Sequence, residues 1–363
     1  MSSDRIQAFR LDGRTLVRLI DAAPRDADAV RARLGLRPLD DQADGDTRPD
    51  LTIRYVDDLG LRGPLRMVGR DEGAYTDDAF VERRNGQPVG IVPLERIGID
   101  DAEIVMVRGS GPPRRLVSLL NLAVLGHGRV ALHGSAVVLR DRGIAAVGWS
   151  GSGKTDVLLG FMARGALAVG DEWLHATPGD GRVVGLPTPV RVEAHHIRQL
   201  PALRDRIPMT ARAAMEVSGV LERGGRAVAS AGGRIGARRY VDVAPAKLFG
   251  GDRLAGSADL DVVVLLEPAA ADTVDVEVVP VEATEIARRL AFAHVHHRRS
   301  LLQWYWQGRY AFPERANPLL DDNGTVECER LIATFAGRRT FRARYGPSAD
   351  IATMIDAIEA AVR

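Results

Sequence analysis

The chain has 363 residues, of which 45% are apolar and 27% charged, with a formal net charge of +1. That composition builds a real core, excludes global disorder, and sets no strong field toward nucleic acid or an anionic membrane. The lone cysteine, Cys328, excludes an intrachain disulfide and a cysteine-built zinc site.

A usual domain holds roughly 100–200 residues, so two or three lobes are expected. The opening residues, Met1-Ser2-Ser3-Asp4-Arg5, are charged and lead into no apolar signal core. No run of about 18 apolar residues occurs either. The cytoplasm is the expected compartment, with no membrane and no nucleic-acid partner.

Residues 1–110 read as β-rich. Leu16–Ile20, Leu51–Tyr55 and Glu103–Arg108 are apolar runs of strand length. Ala79–Arg83 and Pro88–Val92 flank Asn85-Gly86, a dipeptide suited to a type I′ hairpin turn. A helix is predicted near Asp26–Leu34, followed by a loop over Asp40–Pro49. The segment 109–113, Gly-Ser-Gly-Pro-Pro, breaks the pattern, and its prolines suit the first turn of an apolar helix that ends at Gly126.

Strands and helices then alternate, the mark of an α/β core. Leu132–Leu139 and Ile144–Gly148 read as strands around a turn at Asp141–Gly143. Gly153–Arg164 reads as a helix and Leu167–Gly170 as a strand. Farther on, the pattern predicts helices at Thr210–Glu222, Thr284–His297, Cys328–Phe335 and Ala349–Val362. Strands are predicted at Arg239–Val243, Asp261–Leu266, Val274–Val281 and Thr340–Tyr345. Asp261–Leu266 is continuously apolar and so central. The aromatic stretch Trp304-Tyr305-Trp306, with Tyr310 and Phe312, reads as packed core or domain interface, with an acceptor pocket as the alternative.

One motif carries chemistry. Gly148-Trp149-Ser150-Gly151-Ser152-Gly153-Lys154-Thr155 fits G-x-x-x-x-G-K-[ST], the P-loop or Walker A pattern. Glycines allow backbone N–H groups to turn inward around a phosphate chain, and the following helix adds its positive end. Lys154 would neutralise the β- and γ-phosphates, and the Thr155 hydroxyl would hold Mg²⁺. Among the 49 basic side chains only Lys154 and Lys247 are lysine, so a lysine in this place is specific. A nucleophile elbow is excluded, because the fifth position from Gly148 is Ser152 and not glycine. The acidic partner for the metal is Asp171-Glu172, after Leu167–Gly170, or Glu267, after Asp261–Leu266.

The sequence resembles the HPr kinase/phosphorylase family and its kinase-like relatives. The resemblance rests on His133-Gly134, the loop Gly148–Thr155 followed by Asp156, the helix end Ala163-Arg164-Gly165, and Val169-Gly170-Asp171-Glu172. It covers roughly residues 131–175. Glu172 stands where the family usually has aspartate, Trp149 replaces a small or polar residue, and the downstream HPr-recognition motif is not recognisable. The chain therefore looks like the divergent peptide-modifying relatives, not a genuine HPr kinase.

The resemblance implies an α/β fold with an HPr-kinase-like P-loop core over residues 111–285. A β-rich N-terminal domain (1–110) precedes it, and an α+β C-terminal extension (286–363) packs on it. It implies an ATP- and Mg²⁺-dependent kinase that phosphorylates a hydroxyl, most simply a serine of a protein or peptide. Asp171 would be the base toward that hydroxyl, Glu172 would serve Mg²⁺ with Thr155 and Asp171, and His133 would line the site. Gly148, Ser150, Gly151, Ser152, Gly153, Lys154 and Thr155 would hold the nucleotide. Self-association is a further implication. A small-molecule hydroxyl kinase and a non-catalytic nucleotide sensor are the alternatives.

Weaker signals have plainer readings. His195-His196 and His294-x-His296-His297 read as surface or structural histidines and not as metal ligands. Arg191, Arg238 and Arg239 read first as surface ion pairs and second as phosphate clamps.

Overall fold

The structure, a computed structural model, describes residues 5–11, 13–36, 48–69, 73–215, 239–270, 276–322 and 324–363. Its contacts form two compact units, each assembled from separate segments. One holds Met1–Ala131, His175–Asp180 and Ala287–Thr334; the other holds Leu132–Leu174, Gly181–Ile286 and Phe335–Arg363. The stretch after residue 286 is thus divided between them. Among the described residues no helix is long and apolar enough to cross a membrane.

The first unit is built on an eight-stranded sheet. Its elements are β1 (Ile6–Arg10), β2 (Leu16–Ile20), α1 (Pro24–Leu34), β3 (Leu51–Val56), β4 (Arg66–Val68), β5 (Gly73–Tyr75), β6 (Phe80–Arg84), β7 (Gln87–Ile91), β8 (Glu103–Val107) and α2 (Leu116–Gly126). The strand order is β1-β2-β3-β8-β7-β6-β5-β4. In β3 the residues Leu51, Ile53 and Tyr55 are buried, the period-2 pattern of a sheet with one covered face. Asn85 and Gly86, at φ 49° and 82°, make the tight turn between β6 and β7. Arg115 and not a proline precedes α2, because Pro112 and Pro113 sit in the turn before it.

Residues 287–334 of this unit are mainly helical. Trp304, Tyr305 and Phe312 are buried there, whereas Trp306 and Tyr310 are exposed. The aromatic stretch is therefore core on one helix face and open surface on the other.

The second unit holds all but the first two residues of β9 (Val130–Leu139) and the first two of β12 (Trp173–Ala176), together with β10 (Arg142–Gly148), α3 (Lys154–Ala163), β11 (Leu167–Gly170), β13 (Arg182–Gly185), β14 (Val190–Glu193), α4 (Ala194–Gln199), β15 (Tyr240–Val243), β16 (Ser257–Pro268), β17 (Glu277–Pro280), β18 (Arg339–Tyr345) and α5 (Ile351–Val362). The sheet order is β10-β9-β12-β13-β16-β18-β17, and β10 also pairs with β16. Five strands therefore pair in a closed circuit. β16 lies parallel to both β10 and β18, and Val262, Val263 and Val264 are fully buried. This is the continuous apolar run expected of a central strand. The predicted turn at Asp141–Gly143 falls one residue earlier, because Arg140 and Asp141 take left-handed backbone (φ 49° and 63°) and β10 opens at Arg142.

The core of this unit packs α3 and α5 against the sheet. Val157, Leu158 and Phe161 of α3 meet Ile351, Ile355 and Ile358 of α5 in one buried cluster. Gly160 is the point of closest approach: a Cβ there would stand 2.5 Å from Ile355 Cγ1 and 2.7 Å from Ile351 Cγ2. Residues 209–215 are helical, and the rest of the predicted Thr210–Glu222 helix lies outside the described residues. So do Arg238, Val274 and most of the Asp40–Pro49 loop.

Candidate functional site

β10 and β16 run parallel and in register, Gly148 opposite Leu266, so the chain leaves β10 at the carboxyl end of the central strands. Ligands of α/β folds gather at the carboxyl ends of parallel strands. The link from β10 to α3 is Trp149–Gly153, with Gly148, Gly151 and Gly153 at φ 154°, 79° and 73°. Gly148 tolerates no side chain, since a Cβ would lie 2.6 Å from Ser152 Oγ and 2.8 Å from the Leu266 carbonyl oxygen. Ser152 N–H closes a turn onto the Trp149 carbonyl (3.2 Å), and the Tyr345 hydroxyl donates to the Ser152 carbonyl (2.6 Å).

α3 follows directly, with Gly153 as its N-cap. Its first-turn N–H groups have no intrahelical acceptor and carry the positive end of the helix dipole. These amides open onto a cleft of about 370 Å³, lined among others by Ser150, Gly151, Gly153, Lys154 and Thr155. Ser152 is buried beneath the loop and, like Gly148, does not line the cleft.

Lys154 curls over the loop, donating from Nζ to the carbonyls of Trp149 (2.7 Å) and Gly148 (3.2 Å). Burial lowers its pKa to about 8, against the opposing pull of Asp171 and Glu172. An anion in the cleft would meet this ammonium and take the place of the carbonyls.

Asp171 and Glu172 form the tight turn between β11 and β12. The Trp173 N–H reaches back to the Asp171 carbonyl (2.8 Å), and Glu172 takes left-handed backbone at φ 66°. A non-glycine residue in that region is costly and has to be held by its surroundings. Here the Glu172 carbonyl accepts the Gly134 N–H (3.2 Å), and the Asp171 carbonyl accepts the Thr188 hydroxyl (3.2 Å). The Asp171 side chain is buried, and its Oδ2 accepts the Thr155 hydroxyl (3.0 Å). Burial raises its pKa to about 6, opposed by the Thr155 bond. Glu172 is exposed on the cleft wall, and His133 of β9 lines the same cleft with its ring 5.1 Å from that of Trp173.

The structure thus brings His133, Lys154, Thr155, Asp171 and Glu172 to one cleft. The alternative acid, Glu267, does not line it; its Oε2 lies 3.3 Å from Arg344 Nη2 and 3.7 Å from Arg342 Nε. The oxygen set of Thr155, Asp171 and Glu172 suits a hard divalent cation such as Mg²⁺. The glycine-rich turn and the adjoining helix end suit a phosphate chain.

The opposite wall comes from β14 and α4: Arg191, Glu193, His195 and His196. Asp156, in the first turn of α3, joins them. Its Oδ1 lies 2.8 Å from His195 Nε2 and 2.7 Å from His196 Nε2. Burial works against its ionisation, yet the two histidine bonds hold its carboxyl far below the usual range. The bond to Asp156, and after it the nearby Glu193 carboxylate, raise His195 to about 9. Sequence reasoning treated these histidines as surface or structural and gave Tyr345 no role. His195 and His196 lie some forty positions from Asp156, and no local spacing announces their meeting. The second histidine group is structural: His294 is buried, with Nδ1 3.0 Å from Glu327 Oε1.

No protein-family model matches the chain, and no curated protein matches it. Among solved structures, the HPr(Ser) kinase/phosphatase from Coxiella burnetii is similar over 39% of this chain, at 14% identity and a TM-score of 0.20. The chain spans 65% of that protein's length.

Proposed function

We propose that the protein is a kinase that transfers the γ-phosphoryl group of ATP to a hydroxyl, most simply a serine of a protein or peptide. The observation that carries this reading is the cleft itself. A glycine-rich turn, a helix end and Lys154 face an oxygen-lined corner where Thr155 is bonded to the buried Asp171.

In this reading the loop amides and Lys154 hold the β- and γ-phosphates, with Ser150, Gly151 and Gly153 forming the rim. Gly148 and Ser152 shape the turn from below. Thr155, Asp171 and Glu172 would hold Mg²⁺, which supplies charge neutralisation on the transferring phosphate. Asp171 acts as the base. Its buried carboxylate, already accepting the Thr155 hydroxyl, stands at the corner where an acceptor hydroxyl would arrive, and the ionised form accepts a proton. It takes the proton of the acceptor hydroxyl as that oxygen bonds to the γ-phosphorus and the bond to the ADP oxygen breaks. Most of the rate enhancement in such transfers comes from positioning and charge stabilisation. His133 closes the cleft beside the acidic turn.

The test uses γ-labelled ATP with wild type and Lys154→Ala, incubated with fractionated native lysate and with synthetic serine peptides. Label on a peptide or protein, absent with Lys154→Ala, supports the proposal. Label only in a low-mass product assigns a small-molecule acceptor. Tight ATP binding with label nowhere but ATP makes the protein a nucleotide sensor and overturns the kinase reading.

A further inference from the structure

Asp156 poses an electrostatic problem. Its carboxylate sits in the first turn of α3, and its Oδ2 lies 2.9 Å from where a Cβ of Gly153 would stand. An acidic group there suits the helix dipole. The same helix end, however, is the part of the cleft that would receive a polyanion, and a carboxylate beside it repels that ligand.

The two histidines answer the problem. The Glu193 N–H donates to His196 Nδ1 (2.8 Å). That nitrogen is therefore the acceptor, and His196 Nε2 carries the hydrogen it gives to Asp156. His195 stands between two carboxylates, with Nε2 2.8 Å from Asp156 Oδ1 and Nδ1 3.6 Å from Glu193 Oε2. A carboxylate facing each of its two nitrogens favours the doubly protonated, charged ring. The ligand atoms of Asp156, His195 and His196 lie within 4.8 Å of one another, as at a metal centre. A metal needs nitrogen lone pairs, and its histidines usually donate from the outer nitrogen. At His196 the outer nitrogen accepts the Glu193 N–H, so the inner one carries the hydrogen and offers a metal no lone pair.

We propose that His195 and His196 are positioning residues that cancel the Asp156 charge and fix its carboxylate, so that the adjoining loop can hold a triphosphate. This rests on the ATP reading above. The cleft carries Asp156, Asp171, Glu172 and Glu193 against Lys154, Arg191 and His195. Loss of the His195 charge leaves the phosphate end with an uncompensated carboxylate.

The experiment measures MgATP affinity by calorimetry, with thermal stability followed on the same samples. His195→Gln is expected to weaken binding on the order of tenfold, the effect of one unbalanced charge in a half-buried site. The double variant His195→Gln/Asp156→Asn is expected to restore affinity to within about threefold. Asp156→Asn alone is expected to bind at least as tightly as wild type, which keeps the test open if His195→Gln folds poorly. Wild-type affinity in His195→Gln, or a double variant as weak as the single one, overturns the proposal. One equivalent of zinc bound by wild type and lost in His195→Gln also overturns it, because the histidines are then ligands. Lys154→Ala is the control for the underlying reading. If it binds MgATP like wild type, the ATP reading has failed, whatever the histidine variants do.

Discussion

The two units each hold a histidine–carboxylate cluster, and the clusters differ in what faces them. In the first unit Glu327 accepts from Arg298 (2.6 Å) and bonds His294 (3.0 Å), and all three side chains are buried. Every charge there is spent on another protein group. In the second unit Asp156, His195 and Glu193 line a cleft, and His195 remains 35% exposed beside the glycine-rich loop. The same residue types hold a structure together when sealed and, in the proposed kinase, condition a binding site when open. Burial and neighbours decide between these roles, not the residues themselves.

The largest expected effect is on the open side. Lys154→Ala should lower phosphoryl transfer by about a thousandfold or more, measured in single-turnover assays. Its thermal midpoint should change little, because burial already disfavours that ammonium in the folded protein. A large stability loss with activity retained would reverse the contrast between the clusters.

The sealed side should show the opposite. Glu327→Ala leaves Arg298 without its buried partner and should cost about 3–5 kcal/mol of stability, read by denaturant unfolding. MgATP affinity of the folded fraction should stay within about twofold of wild type. In the core of the second unit, a somewhat smaller loss, about 1–3 kcal/mol, is expected for Gly160→Ala, which drives a methyl group into Ile351 and Ile355 at the α3–α5 contact.

The smallest effect is a pH dependence. Although burial opposes it, pairing first with Arg298 and then with His294 lowers the Glu327 pKa to about 2. A depressed acid contributes stability above its unfolded pKa of 4.5, and that contribution is lost as pH falls from there toward 2. In acid titration followed by circular dichroism, Glu327→Gln should therefore lack part of the wild-type stability loss in that window.

Much of this was readable before the structure. The hairpin at Asn85-Gly86 and the central strand within β16 follow from local chemistry, turn dihedrals in one case and continuous apolarity in the other. The loop at Gly148–Thr155 was legible because its glycines and lysine form a contiguous pattern. Other features depend on tertiary pairing. The short strands β4, β5 and β13 have three or four residues each and no distinctive periodicity. The meeting of Asp156 with His195 and His196, and of Tyr345 with Ser152, joins segments remote in sequence. The sealing of Glu327 between two helices is likewise a packing result.

The most direct test of the central claim compares Asp171→Asn with wild type, measuring single-turnover phosphoryl transfer and MgATP affinity on the same preparation. If Asp171 is the base, the transfer rate should fall by roughly a hundredfold or more while affinity stays within about threefold. Transfer at the wild-type rate would contradict the assignment and leave Asp171 as a structural anchor for Thr155.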